Sequence, residues 1–345
     1  MNLNPIEVAK SDFKKKVSKG QLPKLEEINI NSLEDKDLYT ELFSKWYHSI
    51  MNLSELPDIE SGTEEIMIHG PLNIQKKTRD QKIQIEIDMT KEDLNLAIEI
   101  VALKSKQDFN YQQPFCSFNT KFRNTPVRIS LIHHSTGTDK TSKMFIRILN
   151  SQRIPLRNYT KLTNKLIQLV TDKKNIIISG STGSGKTTFT NSLLSECETD
   201  EHIIILEDTK ELIAPNKNST NLISDANNPA KSLKNYLTYS LRMSPDRIIL
   251  GEIRGAEVEP ALLALNTGHN GLISTVHANS AQDAIHRLSL LFKLYSQNDV
   301  DFNTILALLT KNIDYVIHLE NKKIKEIIQV YSSENDQIFY EEVEV

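Results

Sequence analysis

Lys174-Asn175-Ile176-Ile177-Ile178-Ser179-Gly180-Ser181-Thr182-Gly183-Ser184-Gly185-Lys186-Thr187-Thr188-Phe189 is the stretch whose reading decides the fold. Ile176, Ile177 and Ile178 form a β-branched apolar run that reads as a strand, and glycines and hydroxyls end it abruptly. From Thr188 to Cys197 the apolar residues Phe189, Leu193 and Leu194 suit a helix. Strand, G-x-x-x-x-G-K-T loop and helix in that order make a phosphate-binding P-loop. Gly180, Gly183 and Gly185 let the backbone curl so that successive N–H groups point at one anion, and the helix N-terminus adds its partial positive charge there. Nucleotide is therefore expected on Ser181, Thr182, Gly183, Ser184, Gly185, Lys186, Thr187 and Thr188. Lys186 is expected to reach the β- and γ-phosphates, and the Thr187 hydroxyl to ligate Mg²⁺.

Beyond this loop, strands alternate with helical segments. Ile203–Leu206, Arg247–Leu250, Gly271–Val276 and Tyr315–Leu319 read as strands, with helices over 187–196, 230–242, 256–266 and 280–293. Such alternation predicts an α/β domain with a mainly parallel sheet and helices on its faces. Runs at 324–331 and 337–344 would add an antiparallel edge. Before the loop, residues 161–171 carry Leu162, Leu166, Ile167 and Val170 on one helical face. A Pro155-containing break at 150–158 reads as a linker or hinge. Residues 61–150 mix short strands (65–71, 82–87, 127–132 and 144–149) with a helix over 92–101, a smaller α+β domain. Residues 1–60 read as an extension with one amphipathic helix on Leu38, Leu42, Phe43, Trp46 and Tyr47; Lys10, Lys14, Lys15, Lys16, Lys19 and Lys24 read as a solvated, mobile face or as a contact for an anionic membrane surface. The layout is thus 1–60, 61–150, a 151–160 linker, and 161–345.

Composition narrows the class. A net charge of 41 − 45 = −4 gives no basic field, so direct nucleic-acid binding is not expected. No apolar run reaches the ~18–20 residues of a membrane span, and the first ten residues lack a signal-peptide core. Cys116 and Cys197 are too few for a disulfide framework. A cytoplasmic protein is the expectation.

Hydrolysis needs an acid at the C-terminal edge of the sheet beside the P-loop, and Arg247-Ile248-Ile249-Leu250-Gly251-Glu252 supplies one in Glu252, which would hold Mg²⁺ through water or polarise the attacking water. Asp246 would sit at the wrong end of that strand. A second run, Ile203 to Thr209, ends in Glu207 and Asp208, either of which a neighbouring parallel strand would bring near the γ-phosphate. His277 follows the strand 271–276 on the same edge, as a catalytic or phosphate-sensing group or as a structural one. Arg242 and Arg254 bracket the Glu252 strand; each suits a transferring phosphoryl group, in its own or a neighbouring subunit, or a structural ion pair.

The order of these motifs resembles the secretion or traffic ATPases, hexameric RecA-like motors of type II and type IV secretion, pilus and conjugation systems. Four boxes carry the likeness: Walker A at Gly180–Thr187, an Asp box at Leu206–Leu212, Walker B at Leu241–Gly255, and a His box running from Asn266 to Ser280. Glu-Asp-Thr-Lys-Glu-Leu, Gly-Glu-Ile-Arg-Gly and His-Ala-Asn-Ser look like the type IV secretion, conjugative and tight-adherence-pilus branch. The resemblance implies a RecA-like ATPase domain, ATP and Mg²⁺ as ligands, a homo-hexamer, and inner-membrane partners of a secretion or pilus machine. It makes Glu207 and Glu252 the water-activating carboxylates and His277 a γ-phosphate sensor. Glu64–Gly70 resembles the family's opening strand and Phe145-Ile146-Arg147 its domain-closing I-R, which implies that Arg147 closes the N-terminal domain on nucleotide. Here Asn124-Thr125-Pro126 stands before Arg128 where the family usually has a glycine, and Ile148 replaces the usual Lys. A nucleotide switch or scaffold for a transfer complex, with incidental hydrolysis, is the other function this motif set allows.

Overall fold

The computed structural model describes residues 4–28, 30, 36–53, 59, 62–78, 81–149, 153–225, 228–296 and 298–344. The chain divides into two compact units, Met1–Asn150 and Ser151–Val345. Residues 150–152 of the expected linker lie outside the described residues.

Six antiparallel strands form the sheet of the first unit: β1 (Thr63–Gly70), β2 (Asn73–Thr78), β3 (Lys82–Ile85), β4 (Phe115–Phe122), β5 (Thr125–Ile132) and β6 (Lys143–Ile148). Their order is β3-β2-β1-β6-β5-β4. Alternate residues of β1, β5 and β6 (Ile66, Ile68; Val127, Ile129, Leu131; Met144, Ile146) are buried, the period-2 pattern of a sheet covered on one face. Three helices complete that core: α1 (Pro5–Val17), α2 (Lys36–Asn52) and α3 (Lys91–Lys104).

This corrects the reading of the N-terminal residues as a solvated, mobile face with one helix. Asn4 caps α1 through its side chain and Pro5 opens it. Ala9, Phe13 and Val17, at i, i+4 and i+8, are buried. Phe13 meets Trp46 and Tyr47 edge-on at centroid distances of 5.6 and 5.5 Å; such pairs add about 0.5–1.5 kcal/mol each beyond burial. The lysines hold the outer face, with Lys10 on Glu7, Lys16 on Asp12 and Lys14 on Asp93.

In the second unit, α4 (Thr163–Thr171) leads into β7 (Ile176–Gly180) and α5 (Lys186–Leu194). Then follow β8 (Ile203–Glu207), β9 (Ser219–Ile223), α6 (Leu233–Ser240), β10 (Arg247–Leu250), α7 (Val258–Asn266), β11 (Ile273–Val276), α8 (Ala281–Tyr295), α9 (Phe302–Asn312), β12 (Tyr315–Glu320), β13 (Lys323–Glu334) and β14 (Gln337–Glu342). The sheet order is β14-β13-β12-β7-β11-β10-β8-β9. Pairings from β12 through to β9 are parallel, and β12-β13 and β13-β14 are antiparallel. Consecutive isoleucines go to opposite faces: Ile177 and Ile204 pack with α6 to α9, whereas Ile176, Ile178, Ile203 and Ile205 pack with α4 and α5. Burial on both faces is why these strands are continuous apolar runs.

β10, which ends at the Glu252 acid, does not adjoin the P-loop strand; β11 is inserted between β7 and β10, and β8 lies beyond β10. With strands about 4.8 Å apart, that puts Glu252's strand about 10 Å from β7 and leaves His277, at the end of β11, between them.

Candidate functional site

Parallel strands bring the P-loop, His277, Glu252, Arg254, Glu207 and Asp208 to one edge, the C-terminal ends of β7, β11, β10 and β8. The P-loop turns through positive φ at Gly180 (152°), Gly183 (78°) and Gly185 (96°). At Gly180 the requirement is strict: a Cβ would lie 2.5 Å from the Leu319 carbonyl oxygen and 2.5 Å from Ser184 Oγ. Gly185 stands as N-cap of α5, and Lys186 and Thr187 form its first turn.

Lys186 Nζ donates to the carbonyls of Gly180 (2.8 Å) and Ser181 (2.9 Å), which tether it across its own loop. It also lies 3.2 Å from His277 Nδ1. An ammonium can only donate, so Nδ1 accepts and the imidazole proton sits on Nε2. Nε2 in turn faces Glu252 Oε1 at 3.2 Å. Burial, then the Lys186 charge, lower the His277 pKa and favour the neutral ring, while the Glu252 carboxylate pulls the other way. Arg254 takes the other oxygen of Glu252 at 2.9 Å and approaches Asp208 at 3.7 Å. Asp208 accepts a short hydrogen bond from Ser224 just past β9. A connected relay thus runs along the edge, Lys186–His277–Glu252–Arg254–Asp208, with a neutral imidazole between the first cation and the first carboxylate. Every member was singled out in the sequence; their contacts were not legible there, because strand order decides them.

Glu207 is placed differently. Its Oε1 accepts from the backbone N–H groups of Glu211 (2.9 Å) and Leu212 (2.8 Å), so it braces its own loop. Its Oε2 is buried with no hydrogen-bond partner among the described residues. Gly251 exists beside it for room: a Cβ there would come 3.1 Å from Glu207 Cγ. Asn191 on α5 ties the same loop to the P-loop helix, donating to the Glu211 carbonyl and accepting from Ile213 N–H. Glu257 holds the Arg254 turn, accepting from the N–H groups of Arg254 and Gly255. Sequence reasoning missed Asn191 and Glu257; a carboxylate two residues after Gly255, positioned to accept turn amides, was the available signal for the second.

Arg242 follows α6 and is exposed, before the start of β10 and so away from the edge where β10 ends. Arg147 belongs to the first unit, exposed on β6 with Glu65 and Arg128 as its cross-strand neighbours.

Burial pushes the Glu207 carboxyl up to about 7, against the Glu211 and Leu212 amide bonds that pull it down. A raised folded value means the native state holds the proton more tightly than the unfolded chain does. The resulting stabilisation is complete below the unfolded value of 4.5 and is lost as pH rises through about 7. From about pH 5 to about pH 8, wild type should therefore lose about 3 kcal/mol more stability than Glu207→Gln, by urea unfolding. Equal losses in the two proteins would show that Glu207 titrates normally.

The donor set fits a nucleotide with a hard cation. Ser184 Oγ is buried in the loop with no hydrogen-bond partner among the described residues, as is Glu207 Oε2 at the Asp box. The Thr187 hydroxyl is an oxygen ligand of the type that Mg²⁺ takes.

Comparison with known proteins agrees with this chemistry. The sequence profile of the family described as type II/IV secretion system protein matches residues 115–333. The type IV secretion system protein VirB11 of Bartonella quintana (strain Toulouse) is 30% identical over 275 residues, 78% of this chain and 71% of that protein. The conjugal transfer protein TrbB of Rhizobium radiobacter is 33% identical over 208 residues, 55% of this chain and 61% of that one. Among solved structures, the pilus retraction motor PilT with bound ADP has a similar fold, with a TM-score of 0.58 at 22% identity over 82% of this chain and 79% of that chain. The ATPase DotB of Legionella pneumophila has a TM-score of 0.55 at 16% identity, over 87% and 79%. The chain belongs to the type II/IV secretion system protein family, on its type IV secretion side.

Proposed function

We propose that this protein is the hexameric motor of a type IV secretion, conjugative-transfer or pilus machine, working at the cytoplasmic face of the inner membrane. The observation that carries the reading is the relay from Lys186 through His277 to Glu252. It links the group that binds the terminal phosphates to the carboxylate that handles water, so that occupancy of one can orient the other. The second unit acts as a RecA-like ATPase domain. Glu252, its two oxygens fixed by His277 and Arg254, orients the attacking water and accepts its proton as the bond to the leaving ADP breaks. Mg²⁺ would be held by Thr187, with Glu252 through water, and when bound it would supply neutralising charge to the phosphates. Glu207 holds the Asp-box loop and shares the water-activating role.

Arg242, remote from the P-loop edge of its own sheet, suits a contribution to the site of a neighbouring subunit, as a cation for phosphoryl charge. Arg147 would close the N-terminal unit (residues 61–150, with the 1–60 helices) on nucleotide, residues 151–160 serving as hinge to the ATPase unit at 161–345. No helix among the described residues is long and apolar enough to cross a membrane, so attachment to the machine rests on protein partners in this reading.

Light scattering of the full chain with Mg²⁺ and a non-hydrolysable ATP analogue tests the ring. A particle of six chain masses is expected. A monomer at high protein concentration would overturn the motor assignment in favour of a switch.

A further inference from the structure

Within the first unit, three ligand-type side chains come together. α3 presents Glu99, and β5 ends directly before His133 and His134. One atom from each lies within 4.8 Å of the others. Glu99 Oε1 is 3.7 Å from His133 Nε2 and 3.9 Å from His134 Nδ1. Both separations exceed an N–H···O hydrogen bond. They are near the ~3.4 Å that separates two ligand atoms each about 2.1 Å from a tetrahedral ion. His134 Nδ1 is buried without a hydrogen-bond partner among the described residues, a vacancy in polar pairing that costs about 1–3 kcal/mol unless something fills it.

The surroundings hold these atoms in place. Ser135 Oγ lies 2.8 Å from His133 Nδ1, and Ser135 N–H lies 3.2 Å from the same nitrogen. In the metal-free ring Nδ1 accepts from that N–H; with Nε2 ligating, Nδ1 carries the proton and donates to the Ser135 hydroxyl, at the loss of the Ser135 N–H bond. Tyr111 OH stands 3.4 Å from His134 Nε2. Outer partners of this kind orient ligating imidazoles. The two rings lie against each other at a 36° tilt with centroids 4.0 Å apart, and Phe109 and Tyr111 meet His133 edge-on at 5.2 and 5.0 Å. Backbone bonds fix the pair, His133 N–H to the Pro114 carbonyl and His134 N–H to Ser142 Oγ. Glu99 and His134 keep about a quarter of their side chains exposed, at 25% and 22%, which leaves a path for an ion and a water ligand.

We infer that Glu99, His133 and His134 bind one divalent transition-metal ion of the Zn²⁺ type, water completing a four-coordinate shell that staples α3 to the end of β5. Two imidazoles and one carboxylate suit such an ion better than Mg²⁺, which prefers all-oxygen ligands. Burial lowers both histidine pKa values, favouring the neutral form that ligates.

Chelator-treated full-length protein, with excess Mg²⁺ present to occupy oxygen sites, should be titrated with Co²⁺ and followed by the visible absorption of tetrahedral cobalt, then displaced by Zn²⁺. One equivalent should bind. Glu99→Gln, nearly isosteric and so expected to fold, and His134→Ala should each weaken binding more than ~10-fold. Zn²⁺ should also raise the unfolding temperature reported by Trp46 in wild type and not in Glu99→Gln. No saturable binding at one equivalent, or unchanged affinity in both variants, would overturn the site.

Discussion

Lys186→Ala should abolish ATP turnover and nucleotide binding together, whereas Glu252→Gln should abolish turnover and leave binding nearly intact. The difference follows from where each charge sits. Lys186 Nζ is anchored on the carbonyls of Gly180 and Ser181 and stands at the loop that cradles phosphates. Removing it takes away a cation that contacts ground state and transition state alike, so affinity falls with rate. Glu252 lies on the second strand from β7, tied by Arg254 at 2.9 Å and His277 at 3.2 Å. A glutamine there keeps the shape and an acceptor for Arg254 but cannot take a proton. Loss of a positioned general base costs roughly 10²–10⁴ in rate. Phosphate release and binding of a fluorescent ATP analogue separate the two cases. Wild-type turnover in Glu252→Gln would remove that residue from the chemistry and leave the relay a structural ion-pair network.

Local segments of the chain were legible because their causes are local. The P-loop needs glycines at the turning positions and a strand and helix around them, all within about twenty residues. The apolar runs ending at Glu207 and Glu252 are likewise contiguous. What escaped is set by packing at a distance. Strand order comes from crossovers, so the insertion of β11 between the P-loop and Glu252 strands, and with it the bridging place of His277, had no signature in spacing. β9, Ser-Thr-Asn-Leu-Ile, is a polar edge strand with only its parallel partner β8 to define it. α9 was overlooked although Asp301 caps it and Ile305, Leu306 and Leu309 are buried. α1 is a different kind of miss. Asn4, Pro5 and the Ala9-Phe13-Val17 stripe spell a capped amphipathic helix, but the lysines between them invite a reading of the whole segment as solvated. Lysines on the outer face of a helix say nothing about its inner one.

Replacement of Arg247, in the sequence no more than the first residue of an apolar strand, should produce the largest stability loss in the second unit. Its side chain is fully buried. Nε and Nη2 form a fork to Glu201 at 3.1 and 2.9 Å, Nη2 also donates to the Val170 carbonyl at 2.9 Å, and Nη1 points at the Gly271 carbonyl at 3.4 Å. One guanidinium therefore joins the end of α4, the residues before β8, β10 and the turn into β11, all at the sheet edge opposite the P-loop. Gly271 makes room for it, since a Cβ there would lie 2.8 Å from Nη1. Arg247→Met leaves the Glu201 carboxylate buried with only Lys173, at 3.6 Å, to offset it. Breaking one side of a buried pair costs about 3–5 kcal/mol, and replacing both partners with apolar groups costs far less. Urea unfolding followed by far-ultraviolet circular dichroism should accordingly show Arg247→Met strongly destabilised and the double variant with Glu201→Leu recovering much of the loss. Trp46, the single tryptophan, lies in the first unit, and its fluorescence transition should move little in either variant. A double variant no more stable than the single one would mean that the carbonyl contacts of Arg247, rather than its charge pairing, hold this edge of the sheet.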